Sequence, residues 1–148
     1  MGLKIFRAVW FLSVLVALMH LLYVYASLQE SIVVQEEPGG SLVVSKEVFF
    51  YVAMAIMAIT NTLVYVIARV FAGDVYIHFR TWFYGQVITL NIFFVIALSL
   101  IALYNSAEHF NYSEIGFIIY GSVILMTGWA LSWPVYRIFR RSDSKLVV

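Results

Sequence analysis

The sequence contains no cysteine and few charged residues. Without cysteine, the chain cannot form disulfides, thiolate metal sites or cysteine redox centres. Nine basic and eight acidic side chains are spread over 148 residues, while 64% of the residues are hydrophobic. A soluble domain is only about 45–50% apolar, because its surface must be covered with polar groups. The composition therefore excludes a soluble enzyme, a nucleic-acid-binding protein and a disordered linker, and indicates an integral membrane protein.

Residue patterns that carry chemistry are also missing. No acidic residue falls in the middle of an apolar run, so the carboxylate typical of proton- or sodium-coupled transporters is lacking. The sequence has no glycine-rich phosphate loop, no cluster of metal ligands and no catalytic-triad arrangement of serine, histidine and acid. We therefore expect no catalytic residue and no metal site, unless another subunit completes a site.

Four apolar segments are long enough to cross a membrane. A spanning helix needs about 20 mostly apolar residues, and strands of a membrane barrel would alternate apolar and polar positions, which these segments do not. The sequence therefore predicts an all-α integral membrane protein, a single four-helix bundle over residues 1–148. Its helices are predicted at residues 5–25, 48–70, 82–104 and 115–136.

The basic residues predict the orientation. In a four-span chain, every lysine and arginine except Lys46 falls on the side of the two termini. The positive-inside rule then places both termini in the cytoplasm, with a basic tail at residues 137–148. We expect the protein in a plasma or inner membrane. Arg80, Arg137, Arg140 and Arg141 are candidates for binding lipid phosphates or a cytoplasmic partner.

The first outer loop, residues 28–45, has the pattern of a short β-hairpin. Two β-branched runs at residues 31–34 and 41–44 flank a turn signal that contains Pro38 and two glycines. A lone hairpin is only marginally stable in water, so it would need a surface to pack on. The alternative is a flexible loop.

Small and polar residues inside the spans predict helix contacts, because such residues mark helix–helix interfaces in lipid. Asn61, Asn91 and Thr127 fall near the midplane, where they could form hydrogen bonds between helices, line a polar site at the bundle centre or contact another subunit. Each predicted helix also carries a stripe of mostly small or polar residues, and these stripes favour a compact bundle. They are Ser13, Ala17, His20 and Ser27 on helix 1, Ala55, Ala58, Thr62 and Tyr65 on helix 2, Gly85, Thr89 and Ser99 on helix 3, and Gly121, Leu125, Gly128 and Ser132 on helix 4.

His20 is the one ionisable side chain, tyrosines aside, that lies well inside a predicted span. An intramembrane ionisable residue suggests a function. His20 could be a neutral histidine bonded to a neighbouring helix, could line a pocket for a quinone or lipid headgroup, or could be an axial ligand of haem b. Haem with two histidine ligands needs a second imidazole at the same depth, whereas His109 lies in a polar loop and His78 on the opposite side.

Three functional hypotheses follow from these patterns. The first is a non-catalytic accessory or scaffold subunit of a larger membrane complex, with other integral membrane subunits and anionic lipids as partners and with no cofactor. The second is a quinone- or haem-binding redox subunit that uses His20. The third is a small homo-oligomeric channel or transporter with a neutral pore lined by Asn61, Asn91 and Thr127.

Overall fold

The computed structural model describes residues 2–37, 39–106 and 112–143, which form four long helices and one two-stranded sheet. All four helices are long and apolar enough to span a membrane, which confirms the predicted helix number. In chain order the elements are α1 (Gly2–Ser27), β1 (Ser31–Glu37), β2 (Gly40–Ser45), α2 (Lys46–Val70), a 3-10 turn (Asp74–Tyr76), α3 (Ile77–Tyr104) and α4 (Tyr112–Asp143).

The helix ends follow local chemistry. Ser45 caps α2, because its Oγ accepts a hydrogen bond of 3.3 Å from the Val48 amide. Helix α4 extends to Asp143, so residues 137–143 of the predicted basic tail continue the helix of the fourth span. No glycine or proline interrupts residues 135–143, so nothing in this stretch ends the helix.

Gly73 lies between the end of α2 and the 3-10 turn. Helix α2 ends at Val70 with Phe71 as its C-cap, and Gly73 has φ 121° and ψ 159°, outside the left-handed helical region. Such a backbone conformation is open almost only to glycine. Gly73 therefore turns the chain into the 3-10 turn that precedes α3.

The hairpin is confirmed. Strands β1 and β2 pair antiparallel from Ser31 opposite Ser45 to Glu37 opposite Gly40, with a bulge between Val33 and Gln35. The hairpin packs on the helices, because Ile32 is fully buried in the same apolar cluster as residues of α1, α2 and α3. We call this end of the molecule the hairpin end, and the opposite end, where α1 begins and α4 finishes, the termini end.

Asn105, the residue that follows α3, holds the hairpin through its amide. The Val33 amide donates to Asn105 Oδ1 at 2.7 Å, and Asn105 Nδ2 donates to the Val33 carbonyl at 3.0 Å. The side chain thus pairs with β1 as a neighbouring strand would, and it also donates to Ile101 O at 2.9 Å. These bonds supply the support that an isolated hairpin lacks.

Replacing Asn105 with alanine is expected to free the hairpin without unfolding the helices. The Val33 amide would lose its partner, so its hydrogen exchange should accelerate at least about ten-fold, as expected for loss of local rather than global stability. Ser106→Ala is the matched control, because the Ser106 hydroxyl donates to Leu103 O of its own chain segment. Equal exchange at Val33 in both variants would contradict the role of Asn105.

Helix α3 lies at the centre of the fold. Within the part of the chain described, the apolar core combines residues of α1, α2, α3 and the hairpin, and α4 packs on α3 from outside. Thr89 and Asn91 project from different sides of α3, and both are at least nine-tenths buried. A ring of four helices would leave one of these sides exposed, and the central position of α3 avoids this. The buried core residues are Ala17, Leu21, Val24, Leu28, Ile32, Ala53, Met57, Val64, Tyr84, Val87 and Leu98.

Candidate functional site

The structure brings Asn61 and Asn91 together in a hydrogen-bonded network between α1, α2 and α3. Their side-chain amides bond to each other in both directions, with N···O distances of 3.0 and 3.1 Å. From α1, Trp10 Nε1 donates to Asn61 Oδ1 at 2.9 Å, and Ser13 Oγ accepts from Asn91 Nδ2 at 2.9 Å. Ser13 in turn donates to the Trp10 carbonyl at 2.7 Å. Four side chains thus fasten three helices at one level.

The network satisfies its own polar atoms. Asn61 Nδ2 also donates to Met57 O at 2.9 Å, so the side-chain amides of both Asn61 and Asn91 are bonded within the protein. An unpaired amide in an apolar environment costs roughly 1–3 kcal/mol on the scale of protein mutational data. The geometry therefore suits helix packing better than ligand binding. Thr127 is exposed on α4 and lies outside the network, so the structure does not bring together the three residues expected to line a neutral pore.

Helices α3 and α4 are joined by two tryptophans and one glycine. Trp82 Nε1 donates to the Trp129 carbonyl at 2.8 Å, and Trp129 Nε1 donates to the Trp82 carbonyl at 2.9 Å. Gly85 makes this possible, because the Trp129 indole lies where a Cβ at position 85 would be. We call Trp82, Gly85 and Trp129 the tryptophan lock. Its Trp129 ring also lies 6.0 Å from the Phe6 ring of α1.

The predicted small-residue stripes of helices 2 and 4 do not face the bundle. Helix α2 buries Ala53, Met57 and Val64 instead of the predicted stripe. On α4, the tryptophan lock and the buried Ser122 occupy the side towards α3. This leaves Gly121 and Gly128 exposed, and an added Cβ at either position would meet no described atom within 4 Å beyond its own stretch of α4.

His20 is half-buried and contacts the neighbouring helix α3. Its Nε2 lies 2.8 Å from Ser99 Oγ, and the same hydroxyl lies 2.8 Å from the Val95 carbonyl. A hydroxyl has one proton to donate, and a carbonyl can only accept. For both contacts to be hydrogen bonds, Ser99 donates to Val95 O and His20 donates from Nε2. In the neutral imidazole this arrangement leaves Nδ1 as the acceptor.

The described residues offer His20 no partner for haem or a metal ion. His78 lies near the start of α3 at the termini end, and His109 falls outside the described residues. Among the residues that the structure describes, no three histidine, aspartate or glutamate side chains cluster as metal ligands. The haem hypothesis thus stays a prediction from sequence, without a second imidazole to support it.

A groove of about 310 Å³ runs between α1 and α3. This volume lies at the lower end of the range of ordinary ligand sites. The wall from α1 consists of Val9, Leu12, Ser13 and Val16. The wall from α3 consists of Ile88, Asn91, Ile92, Val95 and Ile96. Aliphatic side chains thus form most of the lining, and Ser13 and Asn91 of the polar network form its polar part.

The predicted basic docking residues differ in their environments. Arg80 is half-buried and folds back on the preceding turn, where its Nη2 donates to Gly73 O at 3.2 Å. Arg137 is exposed on α4 beyond Pro134. Arg140 and Arg141 continue the same helix, but their side chains lie outside the described part of the structure. The interaction of these residues with lipid phosphates or a partner stays a prediction.

Several contact residues are not evident from the sequence patterns. The positions of the tryptophans predict an interfacial belt, although Trp10, Trp82 and Trp129 also donate hydrogen bonds between helices. A glycine inside an apolar span is a signal for a close contact, but the signal at Gly85 does not indicate which side chain it admits. For Asn105 and Ser99, no sequence pattern indicates which distant group each one bonds.

Comparison of the chain with protein-family models, with curated proteins and with solved structures finds no match.

Proposed function

We propose that this chain is an integral membrane protein that serves as a non-catalytic accessory or scaffold subunit of a larger membrane complex. The observation that carries the proposal is the exposed glycine face of α4, formed by Gly121, Leu125 and Gly128. Helix α4 attaches to the rest of the chain through α3 and leaves this face without a partner in the described structure. The proposed occupant is a helix of another integral membrane subunit.

The physical reason is the way that helices associate in lipid. Hydrocarbon chains are as apolar as leucine, so helices gain little from apolar burial and associate through close backbone contact, which glycine permits. The chain uses this device internally, since Gly85 admits the Trp129 ring directly against the α3 backbone. Gly121 and Gly128 are seven residues apart, which places them on one face of α4. They offer a second surface of the same kind.

The proposed location is a plasma or inner membrane, and both termini are proposed to lie in the cytoplasm. The positive-inside rule supports this orientation, because in a four-span chain eight of the nine basic residues fall on the side of the two termini. Arg137, Arg140 and Arg141 extend this charge along the end of α4, where anionic lipid headgroups would attract it at about 1 kcal/mol per residue. Anionic lipids are therefore proposed as further partners.

Gly128→Leu is expected to release the partner subunit and leave the chain folded. A leucine side chain would fill the space that the partner helix needs, while no described atom beyond the glycine's own stretch of α4 lies within 4 Å of the added Cβ. Retention of the partner on a tagged chain, purified from its native membrane in mild detergent, should fall at least about ten-fold, since loss of close packing costs on the order of 1–3 kcal/mol. Mass spectrometry of the purified material measures the ratio of partner to chain.

Thr127→Leu is the matched control, because Thr127 is the preceding residue, is also exposed and points about 100° away around the helix. Retention equal to the unmodified chain is expected for this variant. Equal retention of the partner in both variants would remove the glycine face from the proposal. Purification of a lone chain without any stoichiometric subunit would contradict the accessory-subunit function itself.

A further inference from the structure

We propose that the groove between α1 and α3 binds one neutral long-chain lipid, and that a hydroxyl in its head donates a hydrogen bond to His20. The site does not involve the glycine face of α4, so it is independent of the accessory-subunit proposal. Its two parts are the aliphatic groove and the His20–Ser99 pair.

The two parts are adjacent along α1 and α3, and His20 and Ser99 lie next to the groove without lining it. His20 follows Val16 by four residues on α1, and Ser99 follows Val95 by four residues on α3. Residues four apart lie one above the other on the same helix face. The His20–Ser99 pair, with its 2.8 Å contact, therefore bridges α1 and α3 directly above the groove, towards the hairpin end. From Val9 to His20 the site measures about 16 Å along α1, at about 1.5 Å per residue.

The groove itself favours a hydrocarbon chain. Seven of its nine lining residues are valine, leucine or isoleucine, and the other two, Ser13 and Asn91, already bond to each other. None of the residues that form the walls is charged, so an ionic headgroup would find no counter-ion within the groove. A charge without such a partner is costly in a low-dielectric environment. The part of the occupant that fills the groove is therefore an uncharged hydrocarbon chain.

His20 determines the chemistry of the head. Because Ser99 donates its proton to Val95 O, His20 donates from Nε2, and in the neutral imidazole Nδ1 is the acceptor. Within the described residues, no group donates a hydrogen bond to Nδ1. Ethers, esters and ketones only accept, so they leave Nδ1 unpaired, whereas a hydroxyl can donate to it. A long-chain alcohol is the simplest molecule with both features, and the hydroxyl-bearing head of a neutral membrane lipid has the same chemistry.

The test uses a pair of photoreactive probes with the purified chain in lipid nanodiscs. One probe is hexadecan-1-ol with a diazirine in the middle of its chain, and the other is the methyl ether of the same molecule, which has no hydroxyl proton. After irradiation, mass spectrometry of the peptides locates and quantifies the labels. The alcohol should label residues 9–16 of α1 and 88–96 of α3 about three- to ten-fold more than the ether, the range expected for one net hydrogen bond.

Three variants separate the groove from the head. Ile92→Trp fills the groove, where Ile92 is 41% exposed, and should abolish labelling of both walls by both probes. Ile59→Trp is the control, because Ile59 is 64% exposed on α2 outside the groove, and labelling of the walls should be unchanged. His20→Phe keeps an aromatic ring and removes the acceptor, so it should reduce labelling by the alcohol to the level of the ether.

Two results would overturn the proposal. If the probes label all exposed helix faces equally, or label the groove walls equally in Ile92→Trp and Ile59→Trp, the probes contact the protein as ordinary bilayer lipid does and the groove is not a binding site. Equal labelling of the walls by alcohol and ether in the unmodified chain would remove His20 as the acceptor for a hydroxyl. This comparison of the alcohol with the ether needs no variant, so it holds even where His20→Phe alters folding.

Discussion

Gly85→Ala is expected to lower the free energy of unfolding by about 2–4 kcal/mol, the cost of an overpacked contact together with lost hydrogen bonds. An alanine Cβ at this position would lie 2.5 Å from Trp129 Cε2 and 2.7 Å from Nε1. Both distances are far below van der Waals contact, so the indole or the whole of α4 must move away from α3. The free energy of unfolding is measured by SDS titration in mixed micelles, followed by tryptophan fluorescence.

The tryptophan lock makes this movement costly. Trp129 cannot simply rotate, because its Nε1 donates to the Trp82 carbonyl while the Trp129 carbonyl accepts from Trp82 Nε1. A displaced ring breaks at least one of these bonds and leaves a polar N–H in apolar surroundings. Helix α4 has few other contacts within the described structure, since α3 is its main neighbour.

Gly121→Ala and Gly128→Ala are the matched controls. They make the same chemical change on a neighbouring helix, but the added Cβ meets no described atom within 4 Å beyond its own stretch of α4. In the isolated chain, their free energies of unfolding should stay within about 0.5 kcal/mol of the unmodified chain or rise slightly, because alanine favours the helix. A Gly85→Ala chain as stable as these two would contradict the close packing of α3 and α4.

Asn91→Leu is expected to cost about 2–3 kcal/mol, the range for leaving buried hydrogen-bonding groups unpaired. The change keeps the size of the side chain but removes the partners of Asn61 Nδ2 and Ser13 Oγ. Asn91 is only 1% exposed, so water cannot replace these partners. The same SDS titration measures the loss.

A double-mutant cycle gives this prediction its sharpest form. Asn61→Leu combined with Asn91→Leu removes both amides, so the second replacement should cost less than it does alone, with a coupling of about 1 kcal/mol or more. Thr127→Leu, an exposed polar residue of α4 outside the network, should change stability little. Additive costs for the two asparagines would mean that they do not act as one network.

Much of the architecture follows from the sequence, because its signals are local. The four apolar runs, the Ser45 cap and the turn of the hairpin each depend on residues close together in the chain. The polar positions of Asn61 and Asn91 are also visible in the sequence. Polar amides in an apolar helix need a partner, and few such residues are available to supply one.

The rotation of α4 could not be predicted in the same way. Sequence spacing places Gly121 and Gly128 on one face, but it does not say whether that face meets α3 or lipid. The choice depends on Trp129 and Gly85, which are 44 positions apart and whose fit is a matter of shape. The periodicity of α2 is equally uninformative. It predicts that the stripe from Ala55 to Tyr65 faces the bundle, whereas α2 buries Ala53, Met57 and Val64, because in lipid both small and large apolar side chains can face outwards.

Contacts between distant polar groups are equally hidden. Nothing near Asn105 indicates that its amide bonds to Val33, 72 positions earlier in the chain. His20 is unusual by its position in an apolar span, but its partner Ser99 is 79 positions away. A single sequence reveals which side chains need a hydrogen bond, whereas the fold determines which groups provide it.

Photocrosslinking from the glycine face of α4 tests the proposed subunit function most directly. A photoreactive amino acid is placed at Gly128 in one variant and at Thr127 in another, and each is irradiated in the native membrane before purification. We expect a discrete adduct with one other integral membrane protein from position 128 and much less of it from position 127. Adducts with lipid alone from both positions, or adducts only between copies of this chain, would contradict the subunit function.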